Sequence, residues 1–182
     1  MLSASAHKFG GPRGIGFQYI RKGTPLPPLM DGGAQEQRLR AGTENVAAII
    51  GMATALNIAC HEMTSNSACL AKYEETLLNG LHEVGIDFLR NGGPHHLPGN
   101  VSLSIKGASG EMLLHRLDLM GIAVSTGSAC DSKNPQLSHV IRAINVPQDY
   151  ASGTIRISFG LCNNANDAVM IVKALQKILC VK

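Results

Sequence analysis

The sequence predicts a mixed fold, α/β passing into α+β, assembled in two parts. Three observations carry that expectation. Short aliphatic runs alternate with segments of helical periodicity from Gly14 to Leu179. Glycine and proline clusters punctuate the chain before a long apolar segment that opens after Thr43. Four consecutive polar residues, Thr64-Ser65-Asn66-Ser67, interrupt that segment, and they place a boundary between residues 1–63 and 64–182.

The elements follow in order. Gly14 to Arg21 carries Ile15, Phe17, Tyr19 and Ile20 and reads as a strand. Thr24-Pro25-Leu26-Pro27-Pro28-Leu29 is a stiff extended connector, because proline fixes φ and removes the N–H donor. Asp31-Gly32-Gly33 is a turn. Thr43 is placed as an N-cap with Glu44 in the first turn, opening a helix to about Glu62. Val46, Ile49, Ile50, Ala53 and Leu56 recur at helical spacing, so this helix is expected to be mostly buried. A second helix runs from the polar interruption to about Val84. Strands are then expected at Ile86–Leu89 and Asn100–Ile105, on either side of a Gly/Pro/His loop. A helix at Ser109–Met120, a short strand at Ile122–Ser125 and a helix at Pro135–Ile144 follow. A strand at Thr154–Ser158 and a helix at Asn166–Leu179 complete the pattern, the last with Val169, Val172, Leu175 and Leu179 as its apolar stripe.

Composition narrows the function. With 182 residues and 45% hydrophobic content the chain can bury a real core. Charged residues are 16% and the net charge is +3, too small and scattered to imply nucleic acid or an anionic membrane. Tryptophan is absent and aromatics are 4%, which argues against a base-stacking platform. The longest apolar stretch, Ala47 to Cys60, is interrupted by Thr54 and Asn57 and reads as too short for a bilayer. No basic region precedes an apolar run at the N-terminus, so no signal peptide is expected. Five cysteines without Cys-x-x-Cys or Cys/His metal spacing fit free thiols in a reducing compartment, and a cytoplasmic protein with no metal is expected.

Two segments carry chemistry. In Ser5-Ala6-His7-Lys8, ahead of Phe9-Gly10-Gly11-Pro12-Arg13-Gly14-Ile15-Gly16, a lysine sits between a short apolar run and a glycine-rich turn. A lysine so held suits covalent chemistry with an aldehyde, and the neighbouring hydroxyl and imidazole could hold a phosphate. The glycines allow either a permissive turn or close approach to a ligand, but their spacing is not a dinucleotide fingerprint. In Ser125-Thr126-Gly127-Ser128-Ala129-Cys130-Asp131-Ser132, small and hydroxyl residues surround a cysteine that the following Asp131, Ser132, Lys133 and Asn134 keep from burial. That context suits an exposed nucleophile on a mobile loop. Cys60, Cys69 and Cys180 lie in apolar helical contexts and read as small buried hydrophobes, whereas Cys162 is placed as a partly exposed thiol. Arg156, between Ile155 and Ile157 on a strand, must point opposite to them, toward a site or toward water, with Ser158 on its face. His95-His96 are adjacent, which suits a loop better than a metal pair.

These segments, with Gly32-Gly33-Ala34-Gln35-Glu36, Arg40-Ala41-Gly42-Thr43-Glu44-Asn45-Val46, Leu97-Pro98-Gly99-Asn100-Val101, Ser138-His139-Val140-Ile141-Arg142-Ala143 and Ile155-Arg156-Ile157-Ser158-Phe159-Gly160, resemble the pyridoxal-phosphate-dependent cysteine desulfurases of the class V aminotransferase family. The Cys130 context is similar to the long-loop subgroup that feeds iron–sulfur cluster assembly. The resemblance implies a fold-type I arrangement, with 1–63 as the end of the cofactor-binding large domain and 64–182 as a small α+β domain carrying the cysteine loop. It implies pyridoxal 5'-phosphate in Schiff-base linkage to Lys8, with Ser5 and His7 as phosphate ligands. Thr43 would reach a neighbour's phosphate across a homodimer, a role compatible with an N-cap. Arg156 would clamp the carboxylate of L-cysteine, and Cys130 would take its sulfur as a persulfide, leaving L-alanine. The acceptor would be an iron–sulfur scaffold or another sulfur acceptor.

The chain departs from that pattern by matching only the C-terminal half, beginning inside the strand that leads to Lys8. The groups that stack on the cofactor ring and pair its nitrogen belong to the other half, so the isolated chain is expected to be inactive alone and to self-associate. The alternatives are a non-catalytic truncated domain that docks a sulfur-acceptor scaffold, a selenocysteine lyase, or a class V aminotransferase that needs no thiol.

Overall fold

The computed structural model describes residues 1–126 and 138–181. The Cys130 segment and the start of the helix expected from Pro135 lie outside the described residues. The chain divides into two compact units, Met1–Thr64 and Ser65–Lys182.

In the first unit, β1 (Leu2–Ser5) pairs antiparallel with β2 (Gly16–Tyr19), in a register that sets Leu2 opposite Tyr19 and Ser5 opposite Gly16. A 3₁₀ turn, Ala6–Phe9, follows β1 directly. The extended connector ends at an isolated parallel bridge between Met30 and Arg40. Between them, Glu36, Gln37 and Arg38 all take positive φ, of 48°, 57° and 66°. Left-handed backbone costs a non-glycine residue about 1–2 kcal/mol.

α1 runs from Val46 to Glu83, 38 residues without a break. The interruption expected at Thr64–Ser67 is absent. Polar residues of this kind cost under about 0.7 kcal/mol each in a helix, and propagation between good helix formers on both sides outweighs that. The N-cap is Asn45, whose Oδ1 accepts from Ala48 N at 3.2 Å, and not Thr43. The early turns are also not buried: Val46 and Ile50 are 64% and 62% exposed. By length and composition alone α1 could cross a bilayer, having an 18-residue window of mean hydropathy 1.4. Its last turns instead bury Glu74, Leu77 and Leu81 within the second unit.

The second unit is built on an antiparallel sheet of β3 (Phe88–Asn91), β4 (Asn100–Ile105) and β5 (Thr154–Ser158), with β4 central. Strand alternation gives it two unlike faces. Val101, Leu103 and Ile105 of β4, with Ile155 and Ile157 of β5, turn one way into a core completed by α1, α2 (Gly110–Asp118) and α5 (Ala165–Leu179). Each fully buried aliphatic side chain there contributes about 1.5–3 kcal/mol. Asn91, Ser102, Ser104, Thr154, Arg156 and Ser158 turn the other way. α3 (His139–Ala143) and α4 (Gln148–Ala151) complete the elements, α4 being one that the sequence pattern missed.

Three expectations here need correcting. β3 starts at Phe88, so Ile86 packs in the core ahead of the strand. Residues 122–125 form no strand, only an isolated bridge at Ser125. In α5 the buried set is Ala168, Ile171, Val172, Ala174, Leu175 and Ile178, while Val169 is 36% exposed. The helix offers two overlapping apolar stripes, and tertiary packing chose the one containing its alanines, which admit close approach. The start of α5 is a complete capping box of Asn164 and Asp167. Donation from Asn163 and from Asn164 N holds the Asp167 carboxyl below the usual range.

A buried carboxylate closes the sheet onto α1. Glu74 Oε1 accepts from Arg90 Nε and Nη2 at 3.0 and 2.7 Å. Its Oε2 accepts from Gly99 N at 3.1 Å, and His96 Nε2 lies 3.1 Å from the same oxygen. One side chain therefore fixes β3, the loop through His96, and the entry to β4. His96 is thus a structural partner of a carboxylate.

Replacing Glu74 by alanine should lower unfolding free energy by about 3 kcal/mol, since Arg90 loses its partner in a largely buried setting. A urea midpoint that stays within about 0.5 kcal/mol of the parent would contradict the clasp. Asn45→Ala should cost about 1 kcal/mol, the usual worth of an N-cap, while Thr43→Ala should leave stability unchanged. Equal losses from both would restore Thr43 as a cap.

Candidate active site

The lysine segment is displayed by the hairpin. Ala6 is fully buried and its N–H donates to Ile15 O at 3.0 Å, so the turn is pinned at its first residue. Gly10 closes the turn in left-handed conformation, φ 84°, and Gly11 N returns to Ala6 O at 2.8 Å. A side chain at position 11 would collide with the Ala6 methyl, at 2.9 Å, so the close return needs glycine there. With its backbone fixed in this way, the turn leaves Ser5, His7 and Lys8 exposed.

Lys8 is thus a surface amine of this chain. Ser5 is the N-cap of the turn by position, yet its hydroxyl makes no capping hydrogen bond. A hydroxyl, an imidazole and an amine over four residues, with the hydroxyl not engaged locally, are the donor set that a phosphorylated aldehyde requires. These residues therefore fit pyridoxal phosphate by their chemistry.

Thr43 is exposed and precedes α1 by three residues, with the capping role taken by Asn45. The backbone just before it is tied back by Gly42 N, which donates to Gln35 Oε1 at 3.3 Å. That leaves the Thr43 hydroxyl available for a ligand rather than committed to the helix.

Arg156 occupies the polar face of β5, placed there by the burial of Ile155 and Ile157 on the core face. Its neighbours in register are Ser102 on β4 and Ser125 on the other side. Arg156 N donates to Ser125 O at 2.6 Å and Ser125 N donates to Arg156 O at 3.0 Å. Arg156 is half-buried, and its Nε is a buried donor with no hydrogen-bond partner among the described residues. Buried polar atoms are nearly always paired, so an orphan guanidinium N–H is the mark of an absent acceptor. A carboxylate matches the guanidinium fork bidentately. Near the end of β5 a concavity of about 330 Å³ is lined by Ser158, Ile157, Ile122, Asn163 and Asp167 among others.

The structure gathers Ser5, His7 and Lys8 on one turn of the first unit and sets Arg156 in the second. Cys130 lies outside the described residues. Cys60, Cys69, Cys162 and Cys180 are free and exposed. Three of them, Cys60, Cys69 and Cys180, were expected to be buried. Cys60 and Cys69 lie on exposed positions of α1, and Cys180 is the left-handed cap that ends α5. Among the described residues no cluster of three or more His, Cys, Asp or Glu could hold a metal ion. The pairing of Ser125 with Arg156 escaped sequence reasoning, because register between distant segments leaves no local signal.

The chain is 44% identical over 180 residues to the cysteine desulfurase IscS of Dictyoglomus turgidum, covering 98% of this chain and 46% of that protein. It is 38% identical to the IscS of Methanosarcina thermophila, covering 98% and 44%. Among solved structures, a NifS-like protein superposes with a TM-score of 0.83 at 37% identity, covering 98% of this chain and 46% of the other. A NifS-like protein from Rickettsia africae gives 0.78 at 28%, covering 98% and 47%. The chain spans about half the length of the curated relatives it matches. These solved structures are of fold-type I, of which this chain forms the C-terminal portion. The aminotransferase class-V family model, whose enzymes depend on pyridoxal phosphate, matches residues 1–170, and the chain belongs to that family.

Proposed function

We propose that this chain supplies the cofactor-anchoring, carboxylate-binding and sulfur-accepting groups of a cysteine desulfurase. The observation that carries the reading is Arg156: a buried, unpartnered guanidinium N–H joined by two backbone hydrogen bonds to Ser125, five residues before Cys130. Five residues of extended chain span at most about 18 Å, so the thiol is tethered within that reach of Ser125. A carboxylate-bearing substrate and a sulfur nucleophile are thereby assigned to one neighbourhood.

When bound, pyridoxal phosphate supplies the electron sink for chemistry at the substrate's α-carbon. Ser5 Oγ and the His7 ring N–H hold its phosphate, and Thr43 adds a hydroxyl to a phosphate. Lys8 Nζ anchors its aldehyde and carries the α-proton, which needs the neutral amine. Arg156 fixes the carboxylate of L-cysteine. The Cys130 thiolate attacks the substrate sulfur: the Cβ–S bond breaks, an S–S bond forms, and Cβ takes a proton. Cysteine plus thiol thus gives alanine plus persulfide, with atoms and electrons in balance.

The persulfide sulfur passes to an acceptor such as an iron–sulfur scaffold, in a cytoplasm reducing enough to keep the thiol free. The exposed apolar residues at the start of α1, Val46 and Ile50 among them, support self-association, and a homodimer is the proposed assembly.

The test combines the chain with pyridoxal phosphate and a separately produced N-terminal half, which this reading requires. With a dithiol added to reduce the persulfide, cysteine should yield alanine and sulfide in equal amounts. Cys130→Ser should lower sulfur release by roughly 100-fold or more while the cofactor's absorbance persists, and Lys8→Ala should remove that absorbance. Transamination that survives Cys130→Ser would mark an aminotransferase instead. Turnover restricted to selenocysteine would mark a lyase.

A further inference from the structure

The polar face of the second unit's sheet holds a hydrogen-bonded chain whose proton directions can be fixed by elimination. Thr154 Oγ1 lies 2.8 Å from Ala151 O, and a carbonyl only accepts, so Thr154 donates its single hydroxyl hydrogen there. Ser104 Oγ lies 2.7 Å from Thr154 Oγ1, and with the threonine hydrogen committed, Ser104 must be the donor. The Asn91 side-chain atom 2.8 Å from Ser104 Oγ must then donate, which makes it Nδ2 and fixes the orientation of the amide. The same Nδ2 lies 3.2 Å from Ser102 Oγ and gives its second hydrogen there.

Ser102 therefore accepts, and its own hydroxyl hydrogen has no acceptor among the described residues. Ser104 is fully buried and Thr154 is 8% exposed, so the chain is closed at its far end and reaches partly exposed residues at Asn91 and Ser102.

Ser102 stands directly opposite Arg156 in the β4–β5 register. Ile105 N bonds Gly153 O at 3.1 Å and Phe159 N bonds Gly99 O at 2.9 Å, which makes the odd-numbered β4 positions the hydrogen-bonded pairs. Ser102 and Arg156 consequently form a non-hydrogen-bonded pair, the kind whose Cα atoms approach to about 4.5 Å and whose side chains lie closest. Two donors without acceptors, one hydroxyl and one guanidinium N–H, share one patch of the sheet.

We propose that Ser102 is a substrate-binding residue whose hydroxyl donates to the same carboxylate that Arg156 clamps, with Asn91 and Ser104 setting the direction of its hydrogen. This inference rests on the carboxylate reading of Arg156 and adds the residue that selects a carboxylate over other acceptors. A carboxylate offers lone pairs on two oxygens and takes both donors, whereas a neutral amide offers a single acceptor and places a competing N–H₂ beside them.

The test is a titration of the chain with L-alanine, the carboxylate product, followed by calorimetry in every variant and, where Arg156 is present, also by its Nε–H resonance. The parent should saturate, Arg156→Ala should lose the response, and Ser102→Ala should bind about 10-fold more weakly, as loss of a hydrogen bond to a charged group predicts. Ser102→Thr, which keeps the hydroxyl on a strand-compatible side chain, should restore binding. Alaninamide should bind weakly to the parent, with no further loss in Ser102→Ala. If Arg156→Ala abolishes binding while Ser102→Ala matches the parent, the serine assignment is overturned and the clamp stands. If the parent shows no response to L-alanine, the clamp itself fails and the serine assignment with it.

Discussion

Strand alternation is the constraint on which the functional face of this molecule rests. Ile155 and Ile157 are buried against helices on one side of β5, so the residue between them can only project to the other side. That puts an arginine on a face lined by serine, threonine and asparagine, where its Nε is covered by protein but finds no partner among the described residues. Leaving a buried donor unmade costs about 1–3 kcal/mol, and the core contacts of the two isoleucines outweigh that. The sheet thus holds an unsatisfied cation in place with no other fold-stabilising role evident for it. A carboxylate would relieve the deficit, which is the basis of the substrate role proposed for Arg156.

The same strand carries the connection to the thiol. Ser125 does not extend the sheet as a strand; it touches β5 at one residue, and that residue is Arg156. A two-way backbone contact at a single point ties Ser125 to the backbone of Arg156. In the first unit the logic is different. There a buried alanine and a left-handed glycine fix a short turn, and the turn exposes a hydroxyl, an imidazole and an amine together. The region matched here is about half the length of the relatives.

Much of this was legible in the sequence. β4 and β5 were placed to the residue, because their alternation of aliphatic and polar side chains is unambiguous. The orientation of Arg156 followed from its two isoleucine neighbours. What failed were inferences that depend on tertiary context. The Thr64–Ser67 run looks like a break only if local propensity decides, and within a long helix it does not. Val46 and Ile50 are spaced for burial, but spacing does not supply the covering surface. α5 carries two apolar stripes a residue apart, and only packing against β4 and β5 selects between them. Thr43 and Asn45 are both capping residues, and the choice rests on backbone geometry. The hydroxyl chain through Ser104 and Thr154 was invisible because its members come from three strands and meet only through register.

The most direct measurement of the central claim compares alkylation of Cys130 by iodoacetate and by its neutral analogue iodoacetamide, with the modified peptides identified by mass. The account predicts that Cys130 alone among the five cysteines favours the carboxylate reagent, and that Arg156→Ala removes the preference. If Cys130 reacts with iodoacetate no faster than Cys60, Cys69, Cys162 or Cys180, or if Arg156→Ala leaves its preference intact, the guanidinium and the thiol do not serve one site.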